Sequence, residues 1–142
     1  MTVLITGATG LVGQELVNLL LQNGHNVHYL STSKSKLVTN TNYKGFYWNP
    51  KKAEIDTNAL TDVEVIIHLA GANVAKKWTT AYKEEIIESR VLSTQLLYQT
   101  LQKNSHQVKQ IISASAVGIY PDSLTDIYHE TDLDIDVSFL GN

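Results

Sequence analysis

The sequence predicts an α/β protein with a Rossmann-type, doubly wound parallel sheet that carries helices on both faces. Short apolar runs alternate with segments of helical periodicity along the chain, a pattern typical of strand–helix–strand units. A glycine-rich segment from Gly7 to Gly13 stands between the first apolar run and the first helical segment. The length of 142 residues corresponds to a single domain, residues 1–142.

Residues 2–6 form an apolar run expected in a strand that is buried on both faces. Apolar residues then recur at helical spacing at Leu11, Val12, Leu16, Leu19 and Leu20, and Asn23-Gly24 ends this helix. Further strands are predicted at residues 26–30, 45–48, 65–69 and 110–114. A long helix is predicted at residues 80–103, with Ile86, Val91, Leu92, Leu96, Leu97 and Leu101 on its apolar side.

Composition excludes several classes of function. The net charge of -3 argues against a nucleic-acid partner bound through a basic face. The absence of cysteine excludes disulfides, thiolate zinc sites and a catalytic thiol. No apolar run reaches the roughly 18 residues of a membrane span, and the N-terminus enters a strand at once, so we expect a cytoplasmic protein without a membrane partner. The five histidines form no ligand set at metal spacing, and no metal site is predicted.

The glycine segment is the strongest local signal. Gly7 permits a tight turn, Gly10 lets backbone N–H groups approach a diphosphate, and Gly13 lets the helix pack closely on the strand. The amino end of a helix adds unpaired N–H donors and a favourable dipole. The segment therefore predicts dinucleotide binding, with a strand-to-helix turn that holds no ligand as the alternative.

The residues after the second strand favour NADP over NAD. An NAD site usually places a carboxylate there to bind the ribose diol. The stretch at residues 30–36 instead contains hydroxyls and lysines, among them Thr32, Ser33 and Lys34, and no acid. Hydroxyl and ammonium groups suit a 2′-phosphate, although the same stretch is compatible with a solvated polar loop.

Three motifs in this order resemble the extended short-chain dehydrogenase/reductase superfamily, which contains the nucleotide-sugar epimerases and dehydratases. They are Thr6-Gly7-x-x-Gly10-x-x-Gly13, His68-Leu69-Ala70-Gly71 and Ser113-Ala114-Ser115-Ala116-Val117. More narrowly, the chain resembles the atypical, cell-division-inhibitor-like branch of nucleoside-diphosphate-sugar epimerases. That match is carried by residues 71–74, Trp78-Thr79, Lys83, Ser89-Arg90, Thr94 and residues 113–120. The resemblance covers only the first half of a typical member.

The resemblance implies roles for individual residues. The diphosphate would lie on the glycine segment, at Gly7, Thr9, Gly10, Leu11, Val12 and Gly13. Thr32, Ser33 and Lys34 would meet the adenosine ribose phosphate, and Trp48 would lie near the adenine unless it only packs in the core. The nicotinamide-side ribose would lie over Leu69, Ala70 and Gly71. Ser115 matches the catalytic serine and Ser113 is placed with the cofactor residues, although both hydroxyls could instead satisfy backbone groups at a strand end.

The sequence departs from the family pattern in its acid/base residues. The family's Tyr-x-x-x-Lys is absent after Ser115, so the residue that would exchange a proton with substrate is not visible. Arg90 replaces a family asparagine; it would either reach a cofactor phosphate or pair with Glu84, Glu85 or Glu88. His68 is interpreted as a strand-end residue near the cofactor cleft rather than a catalyst.

These departures leave two functions open. The first is the NAD(P)-binding half of an epimerase-like oxidoreductase, truncated before the substrate domain and nearly inactive alone, whose small-molecule substrate binds through the missing half. The second is a non-catalytic NADP-binding sensor or protein-interaction module. Because a sheet that ends after five strands exposes an edge and an apolar face, self-association as a homo-oligomer is also expected.

Overall fold

The computed structural model describes residues 1–115 and 117–139. Ala116, which belongs to the third motif of the resemblance, and residues 140–142 lie outside the described residues. The described chain forms one six-stranded sheet and two α-helices. The strands are β1 (Thr2–Thr6), β2 (Asn26–Ser31), β3 (Tyr43–Asn49), β4 (Glu54–Ile55), β5 (Val63–His68) and β6 (Gln110–Ser113), and the helices are α1 (Leu11–Gln22) and α2 (Thr80–Lys103).

The sheet confirms the doubly wound fold class. Its strand order is β4-β3-β2-β1-β5-β6, so the first strand lies between the second and the fifth. From β3 to β6 in this order, each strand pairs in parallel with its neighbour. The chain order therefore reverses at β1, and this reversal creates a crevice at the carboxyl ends of the strands.

The prediction of five strands, all parallel, was wrong in one respect. A sixth strand, β4, pairs antiparallel with the end of β3 through Trp48 and Ile55. It consists of two residues and follows Ala53, whose φ of 53° lies in the left-handed region. A strand of this length has no periodicity that a sequence pattern could reveal.

Two apolar clusters form the core, one on each face of the sheet. Alternation along β1 sends Leu4 to one face and Val3 and Ile5 to the other. The Leu4 face packs on α2 through Leu96 and Leu97, and the Val3 face packs on α1 through its single buried valine, Val17. Both faces of the central strand are thus covered, which explains why residues 2–6 lack polar alternation.

Some residues that the helical spacing places on apolar sides are exposed. In α1, Leu11, Val12 and Leu19 are 88%, 66% and 56% exposed, and in α2 Val91 is 44% exposed. Their places toward the sheet are taken by smaller or polar residues, notably Gly13 in α1 and Ser93 in α2, which are buried. As the sequence indicates, α1 ends just before Asn23-Gly24: its last residue is Gln22, Asn23 is the C-cap, and Gly24 follows with a φ of +74°. Within the described residues, no helix combines the length and the apolar character needed to cross a bilayer.

Tyr29 on β2 anchors the loop that leads to β3. Its ring is 1% exposed, and its hydroxyl donates to the carbonyl of Lys36 at 2.7 Å while accepting the N–H of Val38 at 2.8 Å. Gly45 makes room for the ring, since a Cβ there would lie 2.5 Å from the tyrosine. The hydroxyl therefore fixes the backbone at residues 36–38, next to the carboxyl end of β2.

We expect Tyr29→Phe to destabilise the domain by about 1–2 kcal/mol, because it leaves two backbone groups without their partner. Urea unfolding monitored by circular dichroism measures the change. Tyr98→Phe is the matched control, since Tyr98 is 60% exposed, and it should cost less than about 0.5 kcal/mol. Equal stability of the two variants would contradict the anchoring role.

Candidate functional site

A cleft of about 650 Å³ opens at the carboxyl ends of the central strands. Five segments line it: the glycine turn, the end of β2, the turn after β3, the segment after β5, and the first half of α2. The lining residues are Gly7, Thr9, Gly10, Leu30, Ser31, Thr32, Ser33, Lys36, Trp48, Asn49, Pro50, Lys51, Leu69, Ala70, Gly71, Ala72, Glu85, Glu88, Ser89 and Ser93. The cleft thus lies at the point where the strand order reverses.

The glycine turn has a geometry that side chains would not permit. Gly7 has a φ of +73°, a conformation that glycine adopts without cost. A Cβ on Gly13 would lie 2.2 Å from the carbonyl oxygen of Gly7 and 2.8 Å from the Cα of Ala8. Since no real Cβ approaches backbone this closely, α1 can sit this close to the turn only with glycine at residue 13.

The amino end of α1 presents backbone donors at the turn. The N–H of Gly10 donates to the carbonyl of Gly7, and the helical ladder begins only with the N–H of Gln14, which donates to the carbonyl of Gly10. The N–H groups of Leu11, Val12 and Gly13 precede that ladder, and no acid lies in the first turn. This cradle fits a diphosphate group, which helix amino ends bind through such N–H groups.

The segment after β2 supplies hydroxyls and one ammonium group to the cleft. Thr32, Ser33 and Lys36 line it. Lys34 instead places its Nζ over the ring of Tyr47, 4.9 Å from the centroid, and is not among the lining residues. Of the two lysines in this segment, the one that lines the cleft is therefore Lys36, whose own backbone carbonyl accepts the hydroxyl of Tyr29.

The wall of the cleft formed by the turn after β3 and by α2 carries side chains of both charge signs. Lys51 forms an ion pair with Glu88 of α2 at 3.3 Å, with both side chains at least half exposed, an arrangement that contributes little to stability. Glu85 also lines this wall. Trp48 lines the cleft but is only 3% exposed and belongs to the apolar core, which favours the packing interpretation of this residue.

The segment after β5 is held from both sides. Thr6 Oγ1 accepts the N–H groups of Leu69 at 3.1 Å and Ala70 at 3.0 Å. On the other side, Ser89 Oγ accepts the N–H of Ala72 at 2.9 Å. These contacts fix the path of the three predicted cofactor residues, Leu69, Ala70 and Gly71, along the floor of the cleft.

Arg90 also supports this segment, in a way the sequence did not indicate. Its guanidinium donates to the carbonyls of Ala72 and Ile86 and covers the face of Gly71, where a Cβ would lie 3.0 Å from it. Of the two alternatives for this residue, the ion pair with Glu84, Glu85 or Glu88 is not formed among the described residues, and the contact with a cofactor phosphate stays a prediction. Arg90 thus holds the backbone of the segment after β5.

His68 lies beneath the same segment and is 6% exposed. Its Nδ1 is 2.6 Å from Thr6 Oγ1 and its Nε2 is 3.1 Å from Ser93 Oγ. Burial lowers the pKa of His68 below its ordinary value of 6.5, so the ring is neutral at physiological pH. A serine on the buried side of a helix, such as Ser93, indicates a hydrogen-bond partner inside the protein. The sequence does not identify that partner as His68.

Ser113 and Ser115 lie beside this region, outside the residues that line the cleft. Ser113 ends β6 opposite His68, and the N–H of Ala114 donates to the carbonyl of His68 at 3.1 Å. Both serines are exposed.

A second cavity of about 320 Å³ lies at the opposite, amino ends of the strands, near Thr2, Asn26 and Lys44. It is therefore far from the carboxyl ends of the strands, where ligands bind to parallel sheets.

The fold and the cleft together define a Rossmann-type nucleotide-binding domain. The chain belongs to the NAD dependent epimerase/dehydratase family, whose match covers residues 3–137. An epimerase family protein of Staphylococcus saprophyticus is 33% identical over 142 residues, which are 97% of this chain and 45% of that protein. The chain spans about half the length of the curated relatives it matches.

Solved structures agree with this assignment. A human epimerase family protein, solved with NADPH, superposes with a TM-score of 0.75 at 26% identity, covering 99% of this chain and 45% of the other. A nucleoside-diphosphate sugar epimerase from Corynebacterium glutamicum superposes with a TM-score of 0.74 at 32% identity, covering 99% and 28%. These similarities support the extended short-chain dehydrogenase/reductase superfamily that the motifs resemble.

We expect Gly13→Ala to destabilise the domain by about 2 kcal/mol, because its methyl group would overlap the backbone of Gly7 and Ala8. Gly10→Ala is the matched control: its Cβ would lie 3.3 Å from the carbonyl of Gly7, at a φ of -81° that alanine adopts. It should cost less than about 1 kcal/mol. Chemical unfolding of both variants measures the difference, and equal losses would show that the helix is not held this close.

Stability should fall in mild acid through His68. Because its folded pKa is lowered, the unfolded chain binds the proton more tightly, with a slope of up to about 1.4 kcal/mol per pH unit. The contribution of neutral His68 is complete above pH 6.5 and is lost as the pH falls through the folded pKa. Thermal unfolding between about pH 8 and pH 5 should show this slope in wild type and in the exposed-site control His106→Gln, and a reduced slope in His68→Gln. If the slope in His68→Gln equals that of wild type, His68 is not the source of the pH dependence.

Proposed function

We propose that this chain is the NAD(P)-binding half of an extended short-chain dehydrogenase/reductase that resembles nucleoside-diphosphate-sugar epimerases, of the cell-division-inhibitor-like branch. The observation that carries the proposal is the glycine turn: a positive-φ Gly7 and a Cβ-free Gly13 set the amino end of α1 against the crevice at the reversal of strand order. The family match supports it. The hydride-transfer chemistry itself belongs to a longer protein.

The proposed roles of the residues are those that the resemblance implies, and the positions of the residues around the cleft support them. Backbone N–H groups of Leu11, Val12 and Gly13, together with the turn at Gly7, Thr9 and Gly10, would hold the diphosphate. Leu69, Ala70 and Gly71 would lie under the nicotinamide-side ribose, with Arg90 supporting them from behind. A bound nicotinamide supplies or accepts the hydride.

The proposed catalytic group of this chain is Ser115. Its hydroxyl would donate a hydrogen bond to the substrate oxygen whose carbon exchanges the hydride, and Ser113 would lie beside the cofactor. The exposure of both serines next to the end of β5 leaves them accessible for these roles. Since no Tyr-x-x-x-Lys follows Ser115, we expect little or no turnover by this chain alone. Its substrate would be a small molecule that a further segment recognises.

We further propose that NADP is preferred over NAD. A 2′-phosphate would meet Thr32, Ser33 and Lys36 at the end of β2, a position that holds no carboxylate. This assignment replaces the ammonium group of Lys34 by that of Lys36. The human relative solved with NADPH supports the preference, whereas the name of the family refers to NAD.

A second candidate is a non-catalytic NADP-binding sensor or interaction module. The genomic reading frame beyond residue 142 discriminates between the two: a substrate domain there supports the enzyme, and a stop codon supports the module. A cytoplasmic location and a homo-oligomer remain predictions.

The cofactor proposal is tested by titrating the Trp78→Phe variant, whose one remaining tryptophan is Trp48 in the cleft, with NADPH and with NADH while monitoring tryptophan fluorescence. We expect tighter binding of NADPH. Lys36→Gln should weaken NADPH binding about tenfold, because it removes a charge-assisted hydrogen bond, and should leave NADH binding within about twofold.

Lys44→Gln makes the same charge change at the opposite end of the sheet and should alter neither affinity. Tighter binding of NADH by the wild-type chain would refute the preference. A larger loss in Lys34→Gln than in Lys36→Gln would refute the assignment of the phosphate to Lys36.

A further inference from the structure

We propose that Thr6, His68 and Ser93 form a hydrogen-bond relay of fixed direction, with His68 as the Nε2–H tautomer, and that this relay positions the segment after β5 for the dinucleotide. The inference rests on the proposed function for its role in cofactor binding. His68 acts in it as a positioning residue, since it touches the supporting hydroxyls and not the cleft.

The direction of the relay follows from counting donors at Thr6. Its Oγ1 accepts the N–H of Ala70 and shares the N–H of Leu69 with the carbonyl of Thr6, which lies 3.2 Å from that nitrogen. Two donors thus face the two lone pairs of the hydroxyl. The remaining group on this oxygen is its own proton. The contact of 2.6 Å with His68 Nδ1 is therefore made by Thr6 donating, and Nδ1 carries no proton.

The contacts at Ser93 favour the same tautomer. Ser93 Oγ lies 2.7 Å from the carbonyl of Ser89 and 3.0 Å from that of Arg90, so its proton is directed at its own helix. Its lone pair faces His68 Nε2 at 3.1 Å, which assigns the proton to Nε2. Thr94 Oγ1, 3.3 Å from the same nitrogen, is then a second acceptor for this proton.

The relay joins the three elements that meet beneath the cleft. Thr6 ends β1, His68 ends β5 and Ser93 lies on α2, and their side chains are 0%, 6% and 1% exposed. At such burial, an unmatched donor or acceptor is costly. His68 therefore fixes the direction of the Thr6 hydroxyl proton, which leaves the lone pairs of Oγ1 facing the N–H groups of Leu69 and Ala70.

The position of this segment matters for the glycine turn as well. A Cβ on Gly7 would lie 3.0 Å from the carbonyl carbon of Leu69 and 3.1 Å from the nitrogen of Ala70. The two backbones that would hold the diphosphate and the nicotinamide-side ribose are thus in direct contact. A displacement of the segment after β5 would change the spacing between both parts of the proposed cofactor site.

The tautomer is tested by long-range ¹H–¹⁵N correlation spectra of the ¹⁵N-labelled 142-residue chain near neutral pH, with the His68 ring assigned from its couplings to the backbone. We expect an unprotonated Nδ1 and a protonated Nε2. A protonated Nδ1, in either the neutral or the charged ring, would overturn the relay.

The positioning role is tested by the pair Thr6→Val and Thr6→Ser, with Thr100→Val as the control. Thr100 is also a buried threonine, 5% exposed, and its hydroxyl donates only within α2, to the carbonyl of Leu96. At a temperature where all variants are folded, Thr6→Val should raise the Kd for NADPH about tenfold, whereas Thr6→Ser and Thr100→Val should stay within about twofold. Equal Kd values for wild type and Thr6→Val would overturn the role.

Two further measurements keep the test decisive. If Thr6→Val does not fold, the double variant Ser93→Ala/Thr94→Val removes both hydroxyls that contact Nε2 and should weaken NADPH binding in the same direction; unchanged binding would overturn the role. If the wild-type chain binds neither NADPH nor NADH, the proposed function fails, and the relay is judged by the tautomer and by the amide of Ala70. That amide should exchange with solvent faster in Thr6→Val than in Thr6→Ser, and equal rates would overturn the relay.

Discussion

The architecture depends on one contact, the approach of the first turn of α1 to the carbonyl of Gly7. A hydrogen atom is the only substituent at Gly13 that this spacing admits, since a Cβ would lie 2.2 Å from that oxygen. The contact sets α1 on the Val3 face of the sheet and points its amino end into the crevice. The buried Ala8 and the bond from Gly10 to Gly7 complete the turn. The placement of the helix thus follows from the absence of a side chain.

Around this turn, the cleft divides into regions of different chemistry. Backbone N–H groups dominate at α1, hydroxyls and Lys36 at the end of β2, and the paired charges of Lys51 and Glu88 at the far wall. The floor is backbone held by Thr6 and Arg90. An elongated ligand with a central anionic group would match each region in turn, which is the shape of a dinucleotide. The fit of the cleft to a dinucleotide thus depends on the order of these regions and not on any single residue.

The sequence predicted those features that are encoded locally. The strand–glycine–helix segment has a fixed spacing, β1 and β5 stand out as short apolar runs, and α2 is long enough to show its helical periodicity. The two-residue β4 was beyond such a pattern, and so was the exposure of Val91, because the buried side of α2 is set by what faces it. The contacts of Thr6 with His68 span 62 residues, and those of Arg90 with Ala72 span 18. Contacts between residues so far apart in the sequence form only in the assembled sheet, so no local sequence motif predicts them.

The order of strands in space has a consequence for the order of events in folding. Thr2 pairs with Asn26 on one side and with Val63 on the other, so the centre of the sheet is completed only when distant parts of the chain meet. During synthesis, β1, β2 and α1 can associate first, while the other flank of β1 waits for β5. Bringing β5 to β1 closes a long loop of chain, and this step is slow because the entropy cost of closure precedes the gain from strand pairing. Until then, the flank of β1 that will receive β5 is an unpaired strand edge, and such an edge is prone to aggregate with other chains.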